Sequence, residues 1–163
     1  GRDQTRLEEA QKSNVIDAFS TNIKEAIDEA NIVVIATPVG TFKDILDQIE
    51  PLISSNVIIT DVGSTKSDIV NIVNDVLRDK SGCFIPAHPI AGKERSGFEV
   101  SDSKLYDGKK VIITPQETNS PESIDVIDQM WKNVGADVDF PLISCSLSPT
   151  RGSWMPEREL LAG

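Results

Sequence analysis

The chain has 163 residues, enough to bury one sizeable core and to form one domain. Hydrophobic residues make up 39% and charged residues 26%, the balance of an ordinary globular chain. With 16 basic residues against 26 acidic ones the net charge is -10, which disfavours non-specific nucleic-acid binding and anionic membranes. No run approaches the ~20 apolar residues of a membrane span. The first residues, Gly1-Arg2-Asp3-Gln4, do not read as a signal peptide. The two cysteines, Cys83 and Cys145, lack metal-ligand spacing, and Cys83 reads as a buried thiol in a reducing cytoplasm.

In chain order, residues 2–13 read as a helix with Leu7 and Ala10 on one face, and Val15 to Phe19 as a weak strand. Ser20-Thr21-Asn22 offers capping residues for a helix through Glu29, with Ile23, Ala26 and Ile27 at helical spacing. Asn31 to Pro38 is the strongest strand, continuously apolar and β-branched, the pattern of a parallel strand covered on both faces. A helix over 42–52, a strand over 57–61 and a helix over 67–78 follow. Cys83 to Pro86 and Val111 to Pro115 read as further strands. Ser120-Pro121-Glu122 opens a helix with a cap, a proline at the first helical position and an acid. That helix runs to about Val134, and a short strand over 136–140 closes the series. Strand and helix in alternation, joined by short connections, signify an α/β fold with a parallel sheet. Residues 141–163 carry three prolines, scattered serines and no sustained period, and read as an irregular tail.

Three loops follow strand ends and therefore share one edge of a parallel sheet, where open α/β folds bind ligands. They are Thr37-Pro38-Val39-Gly40, Asp61 to Lys66, and the stretch from His88 to Gly97. His88 is the single histidine, expected just past a strand in a stiff loop between Pro86 and Gly97. A lone histidine is more often structural than catalytic. Here a hydroxyl (Ser64), an ammonium (Lys66) and a carboxylate (Glu94) gather at the same edge. Ser64 and His88 could both reach one substrate hydroxyl. Gly63 would let the backbone approach a flat ligand. Asp61 would orient its neighbours, or serve only as a strand-end acid or helix cap. No G-x-G-x-x-G occurs. Asp3, just before the first helix, stands where a dinucleotide fold places its ribose-binding acid, and equally reads as a frayed terminal acid.

Thr37-Pro38-Val39-Gly40-Thr41-Phe42, Asp61-Val62-Gly63-Ser64-Thr65-Lys66, the block from His88 to Gly97, and Leu105 to Pro115 occur in the order and spacing of prephenate dehydrogenases. Over residues 1–140 the chain resembles that family and its arogenate and cyclohexadienyl relatives of tyrosine biosynthesis. The resemblance implies a Rossmann-type NAD(P)-binding domain, incomplete at its N-terminus. It implies NAD-dependent oxidative decarboxylation of prephenate to 4-hydroxyphenylpyruvate, with NADP left open by Arg2 and with no metal. His88 falls on the family's catalytic histidine and Ser64 on the hydroxyl that touches the same substrate oxygen. Glu94, with Gly92 and Lys93, falls at the substrate pocket, although Lys93 replaces a small hydroxyl residue of many members. Thr37, Pro38 and Val39 match the loop under the cofactor. Asp61 and Gly63 are placed among the cofactor contacts, and Asp3 matches the ribose-binding acid.

The resemblance also implies a first βα unit and a C-terminal helical domain outside this chain. That helical domain would build a homodimer and complete the pocket for the small-molecule substrate, so the chain alone is expected to be inactive. Residues 141–163 do not resemble the family. Two other readings stand beside this one: a β-hydroxyacid dehydrogenase-type NAD domain, which would use a catalytic lysine, and a non-catalytic α/β interaction module.

Overall fold

The structure is a computed structural model and describes residues 1–54, 56–91, 98 and 101–141. Helix α1 (Gln4–Lys12) is capped by Asp3, and α2 (Ile23–Ile27) by Asn22, whose side chain accepts from Lys24 N–H. Helix α2 ends sooner than its apolar spacing suggests. Asp28 turns to ψ 130° and Glu29 takes φ 59°, which removes both from helical geometry. The strand expected over 15–19 does not form; among the described residues the segment pairs with no strand, and Val15 is exposed.

Strand β1 (Ile32–Ile35) pairs in parallel with β2 (Ile58–Asp61), from Ile32 opposite Ile58 to Ile35 opposite Asp61. Between them the chain makes a 3-10 turn (Val39–Thr41) and helix α3 (Phe42–Ile49). Helix α4 (Lys66–Leu77) and a second 3-10 turn (Arg78–Cys83) lead to β3 (Phe84–Ile85), parallel to β2. Lys80 reaches back from that turn to the carbonyls of Glu50 and Ile53, satisfying acceptors just beyond the end of α3.

Pro86 ends β3. It has no N–H to offer a ladder, but its carbonyl accepts from Thr114 N–H at 3.0 Å. The next three residues form β4 (Ala87–Pro89), antiparallel to β5 (Lys110–Ile113), which in turn lies parallel to β6 (Asp137–Asp139) beyond α5 (Pro121–Asn133). The expected parallel sheet is therefore present as two three-stranded parts, β1-β2-β3 and β4-β5-β6, with one antiparallel pair. His88 is not in a loop, as its flanking prolines suggest, but is the central residue of β4, opposite Ile112.

Side-chain alternation divides the core between the two faces of the strands. On one face Ile35, Ile59 and Phe84 pack against Phe42, Leu46 and Ile49 of α3 and Ile69, Val73 and Leu77 of α4. The Phe42 and Phe84 rings meet edge-on, with centroids 5.9 Å apart. On the other, Ile85, Ala87, Val111 and Ile113 pack against Ile124, Ile127 and Trp131 of α5, and Tyr106 sits edge-on to Trp131. The expected start of α5 is present: Ser120 Oγ accepts from Ser123 N–H at 3.1 Å and Pro121 opens the helix. The expected tail falls outside the described residues apart from Pro141.

Candidate active site

Strand β2 ends in an acid, and the chain must turn at once to start α4. Asp61 closes that turn. It is fully buried. Its Oδ2 accepts from Gly63 N–H at 2.9 Å and from Lys66 Nζ at 2.5 Å, while its Oδ1 accepts from Ala87 N–H at 3.1 Å. One carboxylate thus joins the β2 end, the glycine turn, the first residue of α4 and the first residue of β4. Burial lowers the Lys66 pKa below its usual 10.5, against the smaller opposing pull of the Asp61 hydrogen bond and charge. A buried carboxylate needs such partners, because taking an unpaired charge out of water is costly.

Gly63 sits inside this turn. A Cβ there would lie 2.7 Å from Ile69 Cδ1 and 3.0 Å from Asp61 Oδ2. The protein's own packing is enough to require glycine at this position. The same added Cβ would lie 3.7 Å from Val39 Cγ2, so the loop after β1 runs close beside this turn. The Gly63 carbonyl lies 3.0 Å from His88 Nδ1. A carbonyl oxygen has no proton to give, so Nδ1 must be the donor. In the neutral ring Nε2 then carries the lone pair.

The structure therefore brings Val39, Asp61, Gly63, Lys66 and His88 into one contiguous group, with Ser64 exposed beside it. Thr37 and Pro38 are exposed at the carboxyl end of β1; the Pro38 carbonyl accepts from both N–H and Oγ1 of Thr41. Asp61 is the residue that the sequence places among the cofactor contacts. With no exposed surface and both oxygens engaged inward, it shapes the site from beneath. Asp3 precedes α1 as its N-cap, and the one buried residue of that helix, Ala10, belongs to neither core cluster. There Asp3 Oδ1 accepts from Arg6 N–H. Gly92, Lys93 and Glu94 lie outside the described residues.

A groove of about 580 Å³ opens beside His88, lined also by Ile90, Asp102, Lys104, Leu105 and Lys109. Sequence reasoning passed over both lysines. Their only signal was position: Lys109 lies inside the Leu105 to Pro115 block that reaches β5, the partner of the histidine strand, and Lys104 lies one residue before it. Lys66 was seen only as a charge at the edge; the signal for its pairing is an acid five residues earlier, across a turn that opens a helix. Among the described residues no helix is long and apolar enough to cross a membrane.

Parallel strands, helices on both faces and loops gathered at the strand ends define an α/β domain of the class that binds nucleotides there. The model of the family "Prephenate dehydrogenase, nucleotide-binding domain" matches residues 1–140, and the chain belongs to that family. It is 28% identical over 131 residues to the cyclohexadienyl dehydrogenase of Zymomonas mobilis, covering 80% of this chain and 44% of that protein. It is 34% identical over 118 residues to the prephenate dehydrogenase of Lactococcus lactis, covering 71% and 33% respectively. The prephenate dehydrogenase of Aquifex aeolicus, solved in complex with hydroxyphenyl propionate and NAD+, superposes with a TM-score of 0.78 at 31% identity. That match covers 86% of this chain and 49% of that one. The chain thus spans a third to a half of the length of these relatives.

Proposed function

We propose that this chain is the nucleotide-binding part of an NAD-dependent prephenate dehydrogenase, with His88 as the general base. The observation that carries the reading is the Nδ1–H bond to the Gly63 carbonyl, which leaves Nε2 as the proton acceptor. When bound, NAD would accept the hydride from the C4 carbinol of prephenate. His88 Nε2 would take the hydroxyl proton as that hydride leaves. It would return the proton to the phenolic oxygen once carbon dioxide has departed and the ring is aromatic. Ser64, exposed on the neighbouring turn, would hold the same oxygen.

The residues present fit the cofactor. Thr37 and Pro38 are exposed at the strand end, where an open sheet receives a nucleotide. Asp3 is exposed and spends only Oδ1 on its helix cap, leaving a carboxylate edge for ribose hydroxyls; this favours NAD over a 2′-phosphorylated cofactor. Lys104 and Lys109, beside His88, suit a substrate bearing carboxylates. The alternative with a catalytic lysine is disfavoured for Lys66, whose ammonium is bound to buried Asp61. The chain spans a third to a half of its relatives' length, and a complete pocket and a homodimer would need a further helical domain, so the 163 residues alone are expected not to turn over prephenate.

The test has two parts. NAD should raise the melting temperature of this chain, and no shift at millimolar NAD would remove the cofactor assignment. In a protein joining this chain to a family helical domain, His88→Asn should lower kcat for NADH formation from prephenate by about 10²–10⁴-fold. A kcat within a few-fold of the parent's would remove His88 from catalysis. Turnover by the 163 residues alone would overturn the expected inactivity.

A further inference from the structure

Asp61 does not touch His88, yet it holds both ends of the contact that orients the imidazole. Its Oδ2 takes the N–H of Gly63, whose own carbonyl receives His88 Nδ1–H. Its Oδ1 takes the N–H of Ala87, the residue bonded to His88. The path from Asp61 through Gly63 to the ring, and back through Ala87, is closed. From the far side, β4 is held by β5, with His88 opposite Ile112. The backbone on either side of the imidazole is therefore pinned, and the Gly63 carbonyl is aimed at Nδ1.

We propose that Asp61 is a positioning residue that sets the tautomer of His88 through the main chain. The requirement is for two acceptor oxygens on one planar group. A carboxylate has them; a carboxamide has one, and would turn an NH2 toward either Gly63 N–H or Ala87 N–H. Donor would then face donor around a fully buried side chain, and one of the two backbone segments would have to move. Lys66 has a different part. It neutralises the buried carboxylate on Oδ2 and makes neither backbone bond. Loss of the Lys66 charge should weaken the fold and leave the tautomer in place, whereas loss of an Asp61 oxygen should release the tautomer.

The proposal can be read directly because the chain has one histidine. Long-range proton–nitrogen correlation spectra of the 163-residue chain, recorded where the imidazole is neutral, distinguish a protonated from an unprotonated ring nitrogen. The parent should show Nδ1–H alone. Asp61→Asn and Asp61→Glu, the latter displacing the carboxylate by one methylene, should each bring the Nε2–H form into view. Lys66→Gln should keep the parent pattern. An Nε2–H tautomer in the parent overturns the proposal without any variant. So does a folded Asp61→Asn or Asp61→Glu chain that keeps Nδ1–H alone, or a Lys66→Gln chain that loses it.

The consequence for turnover rests on the dehydrogenase reading. In the joined protein Asp61→Asn should lower kcat on the order of 10²-fold with little change in KM. The spectra need no substrate, so failure of the dehydrogenase reading leaves the tautomer result standing, and the reverse also holds.

Discussion

At the scale of the residue, the site is a set of hydrogen bonds organised by one buried carboxylate. Lys66→Met leaves Asp61 charged with two amide partners and no counter-ion. The expected cost is about 3 kcal/mol in urea unfolding; a loss under about 0.5 kcal/mol would show the pair to be idle. The same pair carries a pH signature. Burial lowers the Lys66 pKa in the folded chain below 10.5. Between that lowered value and 10.5 the unfolded chain holds the extra proton, so this group makes stability rise with pH across the window. Exposed Lys43 and Lys110, raised first by hydrogen bonds to Asp47 and Asp139, act in the opposite sense and are screened by solvent. The Lys66→Met curve should therefore lack a rise just below pH 10.5 that the parent has. Nitrogen-detected titration should place Lys66 below the other two lysines. Gly63→Ala sets a methyl against Ile69 and Asp61 and should cost about 1–3 kcal/mol while weakening the His88 contact. An unchanged melting temperature would show that the turn can yield.

At the scale of the element, legibility followed how local each determinant is. Strand β1 could be read because all four residues, Ile32 to Ile35, are apolar and β-branched, although the expected cover on both faces is incomplete, since Val34 is exposed. The start of α5 could be read because Ser120, Pro121 and Glu122 act on their own next turn. Ser120→Ala should accordingly cost about 1 kcal/mol, read as a lower midpoint in thermal unfolding; no change would mean that Pro121 alone starts the helix. Strand β4 could not be read. It is three residues long, follows one proline and ends in another, and exists because β5, more than twenty residues later, presents a ladder to it. The apolar run over 15–19 looked like a strand and found no partner. Pattern reports what a segment could bury, and pairing depends on what arrives beside it.

At the scale of the whole molecule, two core clusters share one set of strands. Phe84 belongs to one and Ile85, the next residue, to the other. Pro86 and the Asp61 bond to Ala87 join the two sheet parts. Leu46→Ala on one face and Ile127→Ala on the other should each cost about 2–5 kcal/mol. Both should shift a single cooperative transition by circular dichroism, and two separated transitions would show that the faces fold independently. The sequence by itself determined the α/β class, the order of most elements, the family and the gathering of Ser64, Lys66 and His88 at one edge. These follow from periodicity, capping and motif spacing, which act over a few residues. Only the tertiary structure decided that His88 lies within a strand, that Asp61 faces inward and that Gly63 serves packing. Each of those depends on atoms about 25 residues apart in the chain, or on a side-chain clash across a turn, and burial and hydrogen bonding of that kind exist only once the elements are assembled.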